Sequence, residues 1–136
     1  MDKKAKAAAT EMAELLDTPF LRALSEPSRL QVLKVLLLRG PSDVATVAAE
    51  LPQDRSVISR HLQFLERAGI ARSSWEGRHR IYALDGATFI GRFEQLATRL
   101  RTLAPLCCGP FDPTPLVQLP KAGRPRSKRS PGHKAE

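Results

Sequence analysis

Histidine and cysteine are scarce in this chain of 136 residues, with three of the first and two of the second. The histidines, His61, His79 and His133, are scattered, and no Ser/His/Asp cluster or pair of carboxylates falls where a pocket would gather it, which argues against a small-molecule enzyme. No apolar run approaches about 18 residues, and the Ala/Lys-rich start lacks the apolar stretch and cleavage signal of an export peptide. The expected location is therefore cytoplasmic, with no membrane partner. At 42% hydrophobic content the chain can bury one core but not two. Acids are outnumbered, 14 against 22 Lys and Arg, for a net charge of +8. That balance favours a polyanionic partner, although charge alone suits RNA or an anionic membrane surface equally well.

The most informative stretch runs from Gln53 to Leu65. At about 3.6 residues per turn, Ile58, Leu62 and Leu65 fall on one side of a helix and Ser56, Ser59, Arg60 and Gln63 on the other. The first set anchors the helix to a core. The second, with Arg55, offers hydroxyl, amide and guanidinium groups, the chemistry that reads phosphates and base edges in a major groove. Asp54 is the expected N-cap, its carboxylate beside free backbone N–H groups, and Ala68-Gly69 the expected end. His61, beside the apolar face, is expected to hydrogen-bond in a buried position rather than to touch a base or a metal. Upstream, Asp43 to Leu51 carries Val44, Val47, Ala48 and Leu51 at helical spacing, and only a few residues separate the two helices. That is the layout of a helix-turn-helix, in which the second helix enters the groove.

Two short strand-like runs follow, Ile70 to Trp75 and His79 to Leu84, flanking Glu76-Gly77-Arg78, as in a β-hairpin wing. Arg72, Arg78, His79 and Arg80 lie in or beside it, where they could reach a phosphate or a minor groove. From Gln53 to Arg80 six arginines face three acids, a local charge of +3. A solvated amphipathic helix beside an ordinary hairpin is the bland alternative. The whole order of helix, tight turn, capped helix and basic hairpin is much rarer than its parts.

From Phe20 to Leu84 the chain resembles the ArsR/SmtB family of winged-helix metal- and metalloid-sensing repressors. The resemblance is carried by Leu24-Ser25-Glu26-Pro27-Ser28-Arg29-Leu30, by Ser56-Val57-Ile58-Ser59-Arg60-His61-Leu62, by Gly69-Ile70, and by Glu76-Gly77-Arg78 before Tyr82. It implies a mainly α fold with a small β-hairpin, a winged helix-turn-helix dimerised through its first and last helices, and a palindromic double-stranded operator as partner. Pro27 suits the first turn of a helix reaching Arg39 that is apolar nearly all round and so belongs at the centre. Ala8, Met12, Leu15 and Leu16 form one apolar stripe at the N-terminus. Ile90, Phe93, Leu96, Ala97, Leu100, Leu103 and Ala104 form another on a helix expected from about Thr88 to Ala104, ended by Pro105.

The two cysteines are adjacent, Cys107-Cys108, directly after that helix. Neighbouring thiolates favour soft acceptors such as trivalent arsenic or antimony over hard cations. Arg99 and Arg101, upstream, could favour the thiolate. The family's Cys-x-Cys arsenic site would fall near Asp43 and Ala45, where no cysteine stands, and the last helix lacks the carboxylate and histidine set that the family uses for zinc. The pair resembles instead the branch with vicinal cysteines at the end of the last helix. A trivalent metalloid prefers three ligands, so the third must come from elsewhere unless the inducer, like methylarsenite, already carries a carbon substituent. Packing into a small apolar gap and a thiol redox role remain the alternatives.

The expected organisation is an N-terminal dimerisation helix (1–18), a winged helix-turn-helix core with the last helix (19–106), a cysteine-containing effector segment (107–120) and a basic disordered tail (121–136). The tail holds six basic residues and one acid. Its Gly123-Arg124-Pro125-Arg126 resembles part of a minor-groove AT-hook, with Ala122 where the first arginine would stand; a plain solubilising tail is the alternative. The reading is a DNA-binding repressor, not an enzyme, released by arsenite, antimonite or methylarsenite at Cys107 and Cys108, with no organic cofactor. The competing reading is an effector-independent DNA-binding protein with a steep salt dependence.

Overall fold

The structure, a computed structural model, describes residues 2–107. Six helices and three strands follow in the order α1 (Lys3–Leu16), α2 (Pro19–Ser25), α3 (Pro27–Arg39), β1 (Ser42–Asp43), α4 (Val44–Ala48), α5 (Arg55–Arg67), β2 (Ala71–Glu76), β3 (His79–Leu84) and α6 (Gly86–Cys107). Among the described residues no helix is long and apolar enough to cross a membrane.

Local chemistry sets most of these boundaries. Thr18 accepts a hydrogen bond from the Leu21 N–H and Pro19 opens α2, a helix start that the sequence pattern alone does not announce. Glu26 caps α3 through the Ser28 N–H, with Pro27 next, and Gly40 at φ 78° ends it. Asp43 caps α4 by accepting from the Thr46 N–H at 2.8 Å. That helix is shorter than expected because its final turn tightens: the Glu50 and Leu51 N–H groups reach back only three residues, to Val47 and Ala48. At the end of α5, the Gly69 N–H bonds Glu66 and the Ile70 N–H bonds Leu65, a Schellman arrangement made possible by φ 79° at Gly69.

β2 and β3 form the hairpin, with Glu76 opposite His79 and Ala71 opposite Leu84. Gly77 at φ 60° has the sign that a type II′ turn needs at its first central residue. A third strand, β1, which the sequence does not lead one to expect, pairs with β3 on its other side through Ser42 and Tyr82. Two residues are too short to show alternation. The sheet therefore ties the entry of α4 to the wing.

The core lies where α2, α3, α4 and α5 meet the sheet. Val32, Leu36, Val47, Ile58, Leu62, Leu65, Ile70 and Tyr82 are buried there, with Phe20 and Ala23 from α2. α3 is less central than its composition suggests. Val32, Leu33, Val35 and Leu36 are buried, but Leu30, Leu37 and Leu38 are exposed, the last at 76%, because neighbouring elements cover only one side. Phe20, Phe89 and Phe93 form an edge-to-face cluster, with centroids 4.9 Å apart for Phe20 and Phe93 and 5.1 Å for Phe89 and Phe93, which docks the start of α6 on α2.

α1 and α6 pack on each other within the chain. Ala8 on one and Leu103 and Ala104 on the other are buried, and Arg99 is paired with Glu11 between the two helices. Pro105 does not end α6, which continues to Cys107. A proline in the last turn removes a single helical hydrogen bond, and the residues around it hold the conformation. The expected basic tail, residues 121–136, lies outside the described residues, as does nearly all of the effector segment.

Candidate nucleic-acid interface

α5 turns Ile58, Leu62 and Leu65 fully into the core, which fixes the opposite face outward. Arg55, Ser56, Arg60 and Gln63 are exposed there, and Ser59 is half-buried, accepting from the Gln63 amide at 3.4 Å. Asp54 holds the N-cap position with extended backbone, but its carboxylate makes no capping hydrogen bond. The expected side-chain cap is absent, and among the described residues no side chain takes up the first N–H groups of α5. Negative charge is favoured at such an end.

Beside this face stands the wing. A cleft of about 280 Å³ separates them, lined among others by Arg55, Ser59, Gln63, Trp75 and Arg78. Arg72, Arg78 and His79 are exposed. His79 Nδ1 lies 3.3 Å from Asp43, whose carboxyl is held below the usual range chiefly by its hydrogen bonds with Thr46, then by His79 and Arg55.

Arg80, expected on the DNA face, is also engaged within the chain. It is half-buried, donates to Ser73 Oγ at 2.9 Å and to Glu66 at 2.9 Å, and lies near the Trp75 and Tyr82 rings. It is thus a strut between wing and α5, and its neighbours Arg72 and Arg78 remain free to reach outward. The sequence shows the charge of Arg80 but not its partner fourteen residues earlier.

His61 also differs. It is half-buried, yet among the described residues its side chain makes no hydrogen bond. Burial, then the nearby Arg29 and Arg60, push its pKa down, with Glu26 opposing. It lies in a second cleft, of about 430 Å³, with Arg29, Arg60, Phe64 and Arg67. Arg29 stacks 3.8 Å from the Phe64 ring centre and donates to the Arg22 carbonyl, so its packing adds to its charge.

Sequence reasoning missed Trp75, the single tryptophan, which stands 68% exposed on the wing opposite Arg80. An exposed tryptophan at the rim of a basic cleft is its only signal, and exposure cannot be read from the sequence.

Of the cysteine pair, Cys107 lies on α6, on the side that faces α1. It is half-buried, its Sγ is 3.2 Å from Met12 Sδ, and it bonds back to the Leu103 carbonyl at 3.6 Å. Cys108 lies outside the described residues. Arg99 is engaged by Glu11 and Arg101 is exposed. Among the described residues no group of three or more His, Cys, Asp or Glu could hold a metal ion.

The family model for bacterial regulatory proteins of the arsR family matches residues 26–73, which run from the cap of α3 into the wing. An uncharacterized HTH-type transcriptional regulator of Methanocaldococcus jannaschii is 36% identical over 61 residues, covering 45% of this chain and 68% of that one. A crystal structure of an ArsR family transcriptional regulator, RHA00566, is 30% identical, covers 66% of this chain and 91% of that one, and superposes with a TM-score of 0.52. The chain belongs to the arsR family. Its fold is the winged helix-turn-helix, α4 and α5 being the two helices and β2 and β3 the wing, and its relatives are transcription regulators, not enzymes. A crystal structure of a possible transcriptional regulator for arsenical resistance is 29% identical, covers 70% of this chain and 99% of that one, with a TM-score of 0.52. This arsR-family chain spans 53% to 68% of the length of curated relatives it matches.

Proposed function

We propose that the chain is a homodimeric repressor that lays α5 in the major groove of a palindromic operator and is released by a trivalent metalloid at Cys107 and Cys108. The observation that carries the DNA-binding half is the α5 face. A helix buried by three fully covered aliphatic side chains presents Arg55, Ser56, Ser59, Arg60 and Gln63 as a rigid block beside a basic wing. Arg72, Arg78 and His79 then supply phosphate contacts, and Arg80 keeps the wing in register with α5.

Dimerisation is supported by apolar surface left open on α1 and α6. Leu16, Ile90 and Leu106 are each more than half exposed. Two copies related by a two-fold axis would cover such a surface and set two recognition helices about one turn of DNA apart.

For the inducer, the support is chemical and positional. Cys107 is seated against the thioether of Met12, so the end of α6 and the middle of α1 share a soft, sulfur-rich contact. Two adjacent thiolates suit methylarsenite as it stands, and arsenite or antimonite with a third ligand. Occupation of the pair would pull Cys107 from its place on Met12 and shift α1 against α6. A coupling of about 1–3 kcal/mol would weaken operator binding about 5- to 150-fold. The genes controlled would be those for metalloid resistance or efflux.

Two variants test the two halves. Arg60→Ala should lose operator binding while keeping its fold by circular dichroism. Cys107→Ser should bind DNA as wild type does and no longer respond to arsenite. Release of the serine variant at the wild-type metalloid concentration would rule out the cysteine pair as the effector site.

A further inference from the structure

A cleft of about 410 Å³ lies between the end of α1, the start of α2, the end of α5 and the middle of α6, lined by none of the proposed DNA-contacting residues and by neither cysteine. Its apolar lining comes from Leu15, Phe20 and Leu96, and its charge from Arg67, Arg92 and Arg99. The volume falls in the range of small-molecule sites, which are commonly apolar with a few polar groups that fix orientation.

The three arginines differ in what they already hold. Arg99 is engaged by Glu11. Arg67 and Arg92 form no ion pair among the described residues, and both are exposed at the cleft. Arg92 leans over the end of α5: a Cβ built on Gly69 would meet its Nε at 3.6 Å. Two guanidinium groups without a carboxylate partner, above an apolar floor, are complementary to an anionic head on an apolar body, and a guanidinium fork matches a carboxylate with two parallel hydrogen bonds. The chain's own residues 108–136 carry six Lys and Arg against two acids, so their charge does not complement the cleft.

We propose that this cleft binds a small organic carboxylate with an apolar body, its head group held between Arg67 and Arg92 and its body against Leu15, Phe20 and Leu96. Arg67 ends α5 and Arg92 belongs to α6, so the ligand ties the two helices together. Its effect on operator affinity rests on the reading of α5 as the recognition helix; binding itself does not.

Calorimetric titration of the full chain with 1-naphthoate, without DNA, tests the site. Saturable binding of one naphthoate per chain is expected, weakened about tenfold in Arg92→Gln and in Arg67→Gln and unchanged in Arg101→Gln. The neutral 1-naphthamide should bind at least about tenfold more weakly. Equal affinity for acid and amide, indifference to both arginine substitutions, or no saturable heat up to about millimolar ligand would overturn the proposal. So would loss of naphthoate binding as protein concentration rises, because a second copy would then occupy the cleft. A separate titration of operator DNA with and without naphthoate reads the coupling, so a failed recognition helix and a failed ligand site give different results.

Discussion

Arg80→Ala separates a structural arginine from one that touches DNA. In the native chain the Arg80 guanidinium lies 2.9 Å from Glu66, the two side chains being 35% and 30% exposed, and the second Glu66 oxygen is buried with no hydrogen-bond partner among the described residues. Removing Arg80 leaves a partly buried carboxylate with neither oxygen paired. Deleting a hydrogen bond to a charged group costs about 1.5–3 kcal/mol, and the one-third exposure lowers that to about 1–2 kcal/mol through solvent screening. In a domain of about 100 residues each kcal/mol moves Tm by about 4–8 °C, so a fall of about 5–15 °C is expected. A double-mutant cycle with Glu66→Ala should return a coupling of about 1 kcal/mol. The decisive assay is operator affinity as a function of salt. Removing one arginine that neutralises a phosphate lowers the log–log slope by about 0.9. Arg80→Ala should weaken binding with the slope intact, whereas Arg55→Ala should lower the slope and leave Tm unchanged. A reduced slope with an unchanged Tm in Arg80→Ala would refute the strut and return Arg80 to the DNA face.

Leu62→Ala, at a fully buried position on α5, should cost about 2–5 kcal/mol in urea unfolding; a cost below about 0.5 kcal/mol would mean that α5 is not anchored through this residue. Gly69→Ala forces a left-handed residue and brings its Cβ within 3.2 Å of Thr88, so destabilisation of about 1–2 kcal/mol is expected, checked by thermal melting. His61 has its pKa lowered by burial and by Arg29. The unfolded chain therefore takes up its proton first as pH falls below the ordinary histidine value of 6.5, and stability present above that pH is lost through the window beneath it. Tm measured between about pH 7.5 and 5 should fall more in wild type than in His61→Gln, and equal profiles would count against it. The carboxylates Glu26, Asp43 and Asp85, whose pKa values are lowered mainly by hydrogen bonds to helix N-termini, act only at lower pH, below the 4.5 of an ordinary glutamate.

The parts of the fold legible in the sequence are those whose cause is local. α3 runs from Pro27 to Arg39 as its proline and apolar run predict, α5 stops just before Gly69 because one backbone conformation there needs glycine, and the hairpin turns at Gly77. What requires the structure is set by residues distant in sequence. β1 forms only because Ser42 meets Tyr82, forty residues on. Leu37 and Leu38 read as core and are exposed, since composition does not say which side of a helix its neighbours cover. The same limit applies at the interface. Arg55, Arg60 and Gln63 can be placed from helical phase alone, but the Arg80 pairing with Glu66 cannot. Pro105 misleads because proline is a boundary signal in isolation, while the packing of α6 on α1 carries the helix past it to Cys107.

Metalloid-controlled DNA release is best tested with reduced protein bound to a labelled duplex of its own upstream promoter. The complex is titrated with arsenite, antimonite, methylarsenite, zinc and peroxide, and release is followed by fluorescence anisotropy at fixed salt. Tight binding without effector is expected, with release by a trivalent metalloid and not by zinc, and no such release in Cys107→Ser, whose DNA affinity is retained. Release by peroxide alone, or tight binding indifferent to all five, would contradict it.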